Sequence, residues 1–294
     1  RHNLSPHLYA DDTQIYGFCS PSAALQLQEQ VSTCADDVGE WMQSNRLQLN
    51  TAKSEVLWCA SYRRQHQLPQ SGLRIGADIL LPSAAVRNLG VYLDSDVTMR
   101  THVSKVVSGC FVVLRQLRSI RPSVTRPVFV SLVVSLVLSR LDYGNATLAG
   151  ITEQLTGRLQ SVLNAAARLI NASRKSEHVT PLLHDLHWLR YPERVDYKLA
   201  VLVYRCLNGL APSYLACEFQ RVSDIESRRH LRSASTTSLV VPRFLRSTLG
   251  GRAFPVAAAR VWNGLPLHVT TSASLATFKR KLKSELFERS YHRV

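Results

Sequence analysis

His7-Leu8-Tyr9-Ala10-Asp11-Asp12-Thr13-Gln14-Ile15-Tyr16 is the stretch on which the reading of the whole chain turns. Two adjacent carboxylates sit between β-formers, with Leu8 and Tyr9 before them and Ile15, Tyr16 and Phe18 after. Aromatic and β-branched residues favour strands, and a polar pair between two such runs favours a turn. The stretch therefore predicts a hairpin with Asp11 and Asp12 at its tip. Successive strand residues face opposite ways, so at most one of the pair aims into a given site. Two carboxylates this close repel unless solvent or a cation compensates. A solvated acidic turn is one reading. A tip that binds Mg²⁺, a cation taking hard oxygen ligands, is the other.

Outward from that stretch, charge is the most informative property. The net charge is +15, unevenly placed. Residues 1–60 hold three basic and seven acidic side chains, whereas residues 61–294 hold 33 and 14. An acidic segment followed by a long basic one points to a phosphate-rich partner. Of the 36 basic residues 29 are Arg, whose planar fork suits phosphate oxygens; codon bias in a GC-rich gene would give the same excess. An apolar content of 45% is ample for a core, which argues against wholesale disorder. The length predicts two or three lobes. The first Met stands at position 42, so the chain is expected to be a piece of something longer. No secretory leader opens it, and the longest apolar run, 128–138, is too short to cross a membrane, so no membrane partner is expected. The six cysteines form no C-x-x-C pair, which predicts free thiols in a reducing compartment.

Ser20-Pro21 reads as a helix start. Leu27, Val31, Cys34, Val38, Trp41 and Met42 then form one apolar stripe, predicting a helix over roughly 22–45 with Asp36, Asp37 and Glu40 on a solvated face. Val56-Leu57-Trp58-Cys59 predicts a buried strand, 61–72 a loop, and 73–81 a hairpin around Gly76-Ala77-Asp78. In 86–94, Gly90 suits a bulge or a close backbone approach, and Asp94 and Asp96 read as turn residues. From about 98 the pattern becomes helical: 102–117, 128–141 despite its valines, 155–170, and 194–207 stopped by Asn208-Gly209. His178, His184 and His187 lack a fourth ligand at zinc spacing. Residues 220–250, rich in Arg and Ser, predict an irregular segment. Trp262 reads as a buried anchor rather than a base-stacking platform. Leu275, Phe278, Leu282 and Leu286 predict a last helix, decorated by Lys279, Arg280, Lys281 and Lys283.

Tyr9-Ala10-Asp11-Asp12 resembles the motif C box of reverse transcriptases. Its continuation through Tyr16 resembles the form found in LINE-type (non-LTR) retrotransposons, near the jockey group. Asn50-x-x-Lys53-Ser54-Glu55 resembles motif D of that family, with Ser54 where Thr is usual. Val86 to Asp94 resembles motif E, the primer grip. Basic-flanked helices follow where the family has its thumb. Arg140-Leu141-Asp142-Tyr143-Gly144-Asn145 and the blocks 194–216 and 250–287 resemble its C-terminal region. The order of these blocks covers nearly the whole chain.

The resemblance implies an α+β chain with a small antiparallel sheet. Residues 1–97 would be the C-terminal part of a palm, 98–175 a helical thumb, and 176–294 a basic, mostly helical C-terminal region. It implies an RNA-directed DNA polymerase using a two-metal Mg²⁺ site, with Asp11 as principal metal ligand, Asp12 assisting, and Lys53 as proton donor to the leaving pyrophosphate. Lys53 also reads simply as a surface lysine pairing with Glu55 or with phosphate. The implied partners are an RNA template and a DNA primer duplex, with deoxynucleotides only if an upstream half is present. The implied location is intracellular, in nucleus and cytoplasm. Motif A and the fingers lie upstream of motif C in the family, so the chain alone is expected not to polymerise DNA. A non-catalytic nucleic-acid-binding module and an inert mobile-element remnant are the alternatives.

Overall fold

The computed structural model describes residues 2–224, 238–244 and 247–291. The chain is mixed helix and sheet and divides into two compact units, Arg1–Thr101 and His102–Val294.

Unit 1 begins with β1 (Ser5–Tyr9) and β2 (Asp12–Tyr16), antiparallel in the register Tyr9↔Asp12, Leu8↔Thr13, His7↔Gln14. Helix α1 (Ala24–Ser44) follows a short 3₁₀ turn over Pro21–Ala23. It buries Ala24, Leu27 and Ala35, but Trp41, expected on the inward stripe, is 60% exposed. Asp36 and Asp37 do more than face solvent. Asp36 accepts from Arg74 Nη2 at 2.6 Å, and Asp37 pairs with His2 at 2.8 Å.

Residues 56–59 form no strand. Val56 makes a single parallel bridge to Pro82, and its run stays half-buried because no longer partner strand lies beside it. Residues 62–67 form a 3₁₀ helix where a loop was expected. β3 (Leu73–Ile75) and β4 (Asp78–Leu80) close around Gly76, whose φ of +60° suits a residue without Cβ. β5 (Ala85–Asn88) and β6 (Val91–Asp94) close around Leu89-Gly90, both at positive φ. Gly90 therefore serves a two-residue turn of the I′ pattern, not a bulge. Each pair is a separate two-stranded sheet rather than part of one small sheet. Short turns satisfy each hairpin locally, and the segments between hairpins do not add strands to them.

Unit 2 is helical. Helix α2 (Arg100–Ile120) buries Val103, Val107, Cys110, Leu114 and Leu117 at the expected spacing. Residues 126–142 form one continuous helical rod: α3 (Arg126–Val133), a π-helical stretch over Val134–Leu138, and α4 (Ser139–Asp142). Valines there override their strand propensity because Phe129, Val133, Val137, Leu138 and Leu141 bury along one face. The remaining helices are α5 (Glu153–Asn171), α6 (Val179–Asp185), α7 (Tyr191–Leu207), α8 (Ser213–Ala216), α9 (Ser247–Gly250), α10 (Phe254–Asn263), α11 (Leu267–Thr270) and α12 (Leu275–Tyr291).

Phe278 of α12 is the centre of the second half. It stacks on Tyr204 at 4.4 Å and on Trp262 at 5.8 Å, so Trp262 is the buried anchor its sequence context predicted. Within 220–250, residues 225–237 and 245–246 fall outside the described residues. At its edges Val222 N–H donates to Ser238 O at 3.0 Å, and the Asn263 amide pairs both backbone groups of Leu239, at 2.7 and 2.8 Å. No described helix is long and apolar enough to cross a membrane.

Candidate metal-binding tip and its surroundings

The β1–β2 turn consists of Ala10 and Asp11, and Asp12 is the first residue of β2. Ala10 carries a φ of +52°, a left-handed conformation that an L side chain resists. The strand–turn–strand pattern was legible in the sequence, but the position of the strain was not, because nothing about Ala10 marks it as a turn residue.

Pleating decides what surrounds the carboxylates. Pro6, Leu8, Thr13 and Ile15 line a cleft of about 350 Å³ shared with Cys34, Val38, Trp41 and Met42 of α1. Tyr9, Asp12, His7 and Gln14 alternate onto the opposite face. Asp12 thus lies on the polar side, two residues from Gln14. Asn88, at the end of β5, donates to Gln14 Oε1 at 2.8 Å. This bond ties the turn of the third hairpin to the face that carries Asp12. Neither Gln14 nor Asn88 stood out in the sequence. Their only signal was alternation, Gln14 being in phase with Asp12.

Asp11 and Asp12 are exposed, and neither side chain has a hydrogen-bond or ion-pair partner among the described residues. Mg²⁺ often takes only one or two protein carboxylates, with water and substrate phosphates completing its shell. The pair fits that donor set. It does not form a closed site: among the described residues no group of three or more His, Cys, Asp or Glu could hold an ion.

Lys53 ends a 3₁₀ turn over Thr51–Lys53 that Asn50 caps, its Oδ1 accepting from Lys53 N–H at 3.2 Å. The Asn50-to-Lys53 spacing is therefore that of a local cap. The Lys53 side chain is exposed, and no hydrogen bond or ion pair links it to Asp11, Asp12 or Glu55. Asp96 is a turn residue, as expected, whereas Asp94 is buried as the last residue of β6 and braces the turn from there. Asp94 Oδ2 accepts from the Thr101 N–H and the Thr98 hydroxyl, each at 3.2 Å, and Asp96 Oδ1 accepts from the same hydroxyl at 2.7 Å. These bonds hold a loop in which Val97 and Met99 both have positive φ.

In unit 2 the Arg140–Asn145 block is structural. Arg194 of α7 clasps Asp142 with its Nε and Nη2, the former at 2.8 Å. The Tyr191 hydroxyl donates to Leu141 O at 3.4 Å, and burial pushes that phenol well above its usual range. Asn145 is buried, with its Oδ1 unpartnered. His184 and His187 pack against Phe287 rather than toward a common ion. Unit 2 holds 28 basic and 11 acidic side chains, unit 1 eight and ten. No family model matches the chain, and neither a curated protein nor a solved structure matches it.

Proposed function

We propose that this chain is the C-terminal part of a non-LTR retrotransposon reverse transcriptase: a metal-binding palm hairpin followed by a basic helical lobe that holds a template–primer duplex. The observation that carries this reading is the β1–β2 tip, where the side chains of Asp11 in the turn and Asp12 at the start of β2 are exposed and have no partner among the described residues. The excess of 17 positive charges in unit 2 supports the duplex-holding half. Asp11 and Asp12 would hold the cation, which when bound neutralises charge on phosphate oxygens. Lys53, exposed and without an ion pair to Glu55, would meet a phosphate. Two carboxylates are only part of a two-metal site, so the chain alone binds duplex without extending it.

Fluorescence anisotropy with a short RNA–DNA duplex tests the binding half. Several phosphate contacts predict an affinity that falls by about 10³-fold or more between 50 and 200 mM salt. A flat response or no binding overturns it in favour of an inert remnant. Primer extension with Mg²⁺ and with Mn²⁺ tests the other half. No extension is expected, and template-dependent extension lost in Asp11→Asn would show the site to be complete.

A further inference from the structure

We propose that the exposed seam between α2 and the 126–142 rod is a docking site for an acidic amphipathic helix of a partner protein. This goes beyond the proposed function and does not depend on it. The two helices are joined by a short turn and run antiparallel. Cys110 Sγ donates to Val137 O at 3.8 Å on their buried side. On their outer side a Cβ added at Gly109 would stand 3.9 Å from Arg140 Nη1, so the guanidinium lies over the one α2 position without a side chain.

That contact fixes the neighbours. Val112 is one turn after Gly109 and Leu136 one turn before Arg140, so each flanks that contact on its own helix. They are 50% and 42% exposed. Lys105, one turn before Gly109, extends the seam at one end, and Arg115, one turn beyond Val112, at the other. Two of the rod's three serines add little polarity. Ser131 donates to Pro127 O and Ser139 to Ser135 O, which turns both hydroxyls into the helix.

Charge names the occupant. No Asp or Glu occurs from Val97 to Leu141. Lys105, Arg115 and Arg140 form no hydrogen bond or ion pair among the described residues. Cations unpaired around a strip of exposed apolar side chains complement a helix with an apolar stripe flanked by carboxylates. A phosphate backbone would pair the cations yet leave Val112 and Leu136 against water, so the protein partner is favoured over nucleic acid.

The test uses the full chain and a fluorescein-labelled peptide of about 18 residues, five helical turns, with Leu at helical spacing and Glu elsewhere. A peptide of the same composition in scrambled order is its control. The ordered peptide is expected to bind about tenfold tighter than the scrambled one. Val112→Ser and Leu136→Ser, which change no charge, are each expected to weaken it about threefold or more, with melting temperatures unchanged. Arg140→Gln should do the same. Equal affinity for the two peptides, or serine variants that bind as wild type, would reduce the contact to non-specific charge and overturn the proposal. So would a short DNA duplex that loses more affinity than the peptide in the same variants.

Discussion

Among the described residues each unit exposes eleven large apolar side chains, yet unit 1 contributes only five of the 46 buried ones and unit 2 the other 41. The two also differ in how order is obtained. Unit 1 relies on three hairpins closed by two-residue turns, whose hydrogen bonds are local. Unit 2 relies on helices that lock one another through Phe278, Tyr191 and Arg194. A two-stranded hairpin is marginal by itself in water, whereas a helix packed on several others is not. Stability should therefore concentrate in unit 2, and the β1–β2 tip in unit 1 should be its softest part.

The strongest challenge to that contrast is Phe278→Ala. The ring is fully buried between Tyr204 and Trp262, so its loss should cost unit 2 about 3–5 kcal/mol. Leu27→Ala, at a less enclosed position of α1, should cost unit 1 about 2 kcal/mol, the low end for such truncations. Urea unfolding followed by tryptophan fluorescence measures both. Equal losses would mean that unit 1 is as well packed as unit 2.

Two ion pairs sharpen the same point. Arg194→Gln strands Asp142 in a partly buried setting, where Arg194 is only 15% exposed, and should cost about 2–3 kcal/mol. Arg74→Gln removes the pair with Asp36, but that guanidinium is 54% exposed, so the thermal midpoint should barely move. A large shift from Arg74→Gln would show that the α1–β3 tie is a structural keystone.

Burial in unit 2 also has a pH signature. Asp196 on α7 is pushed up to about 6, first by desolvation and then by Glu193 beside it, while Arg289 opposes the shift. The folded state thus holds this proton more tightly than the unfolded state. Its contribution is fully present below about pH 4 and is lost as pH rises through about 6. Asp196→Asn should raise stability at pH 7.5 by about 1–2 kcal/mol and flatten the pH 4–6 slope. Thermal melts of both proteins across that window check it, and parallel curves would refute it.

What the sequence disclosed follows the same division. Helices were legible because burial repeats at 3.6 residues, as in Val103, Val107, Cys110 and Leu114, and even the valine-rich 128–141 showed it through Ser131, Ser135 and Ser139. The hairpins at 5–16 and 73–80 were legible through alternation and turn chemistry. Trp41 was misplaced because periodicity shows which residues share a face, not whether anything covers it. The strand expected at 56–59 failed for the same reason: an apolar run becomes a strand only when a partner lies alongside. At the tip, the carboxylates were legible but the Gln14–Asn88 bond was not, since it joins residues 74 positions apart that carry no mark of pairing.

The smallest expected effect bears most directly on the tip. Ala10 holds a φ of +52° in a two-residue turn, where a residue with a Cβ loses about 1 kcal/mol relative to glycine. Ala10→Gly removes that strain but also loosens the unfolded chain, which returns part of the gain. The net should be about 0.5 kcal/mol, or roughly a twofold slowing of amide exchange across the Leu8↔Thr13 pair, with unit 2 amides unaffected. Faster exchange would mean that the turn does not rest in the left-handed region. If slower exchange comes with unchanged duplex affinity, the strain is incidental to holding Asp11 and Asp12. If the same variant binds Mn²⁺ more weakly, the strained turn is what aims the two carboxylates, and softness in unit 1 is a condition of its function rather than a by-product of thin packing.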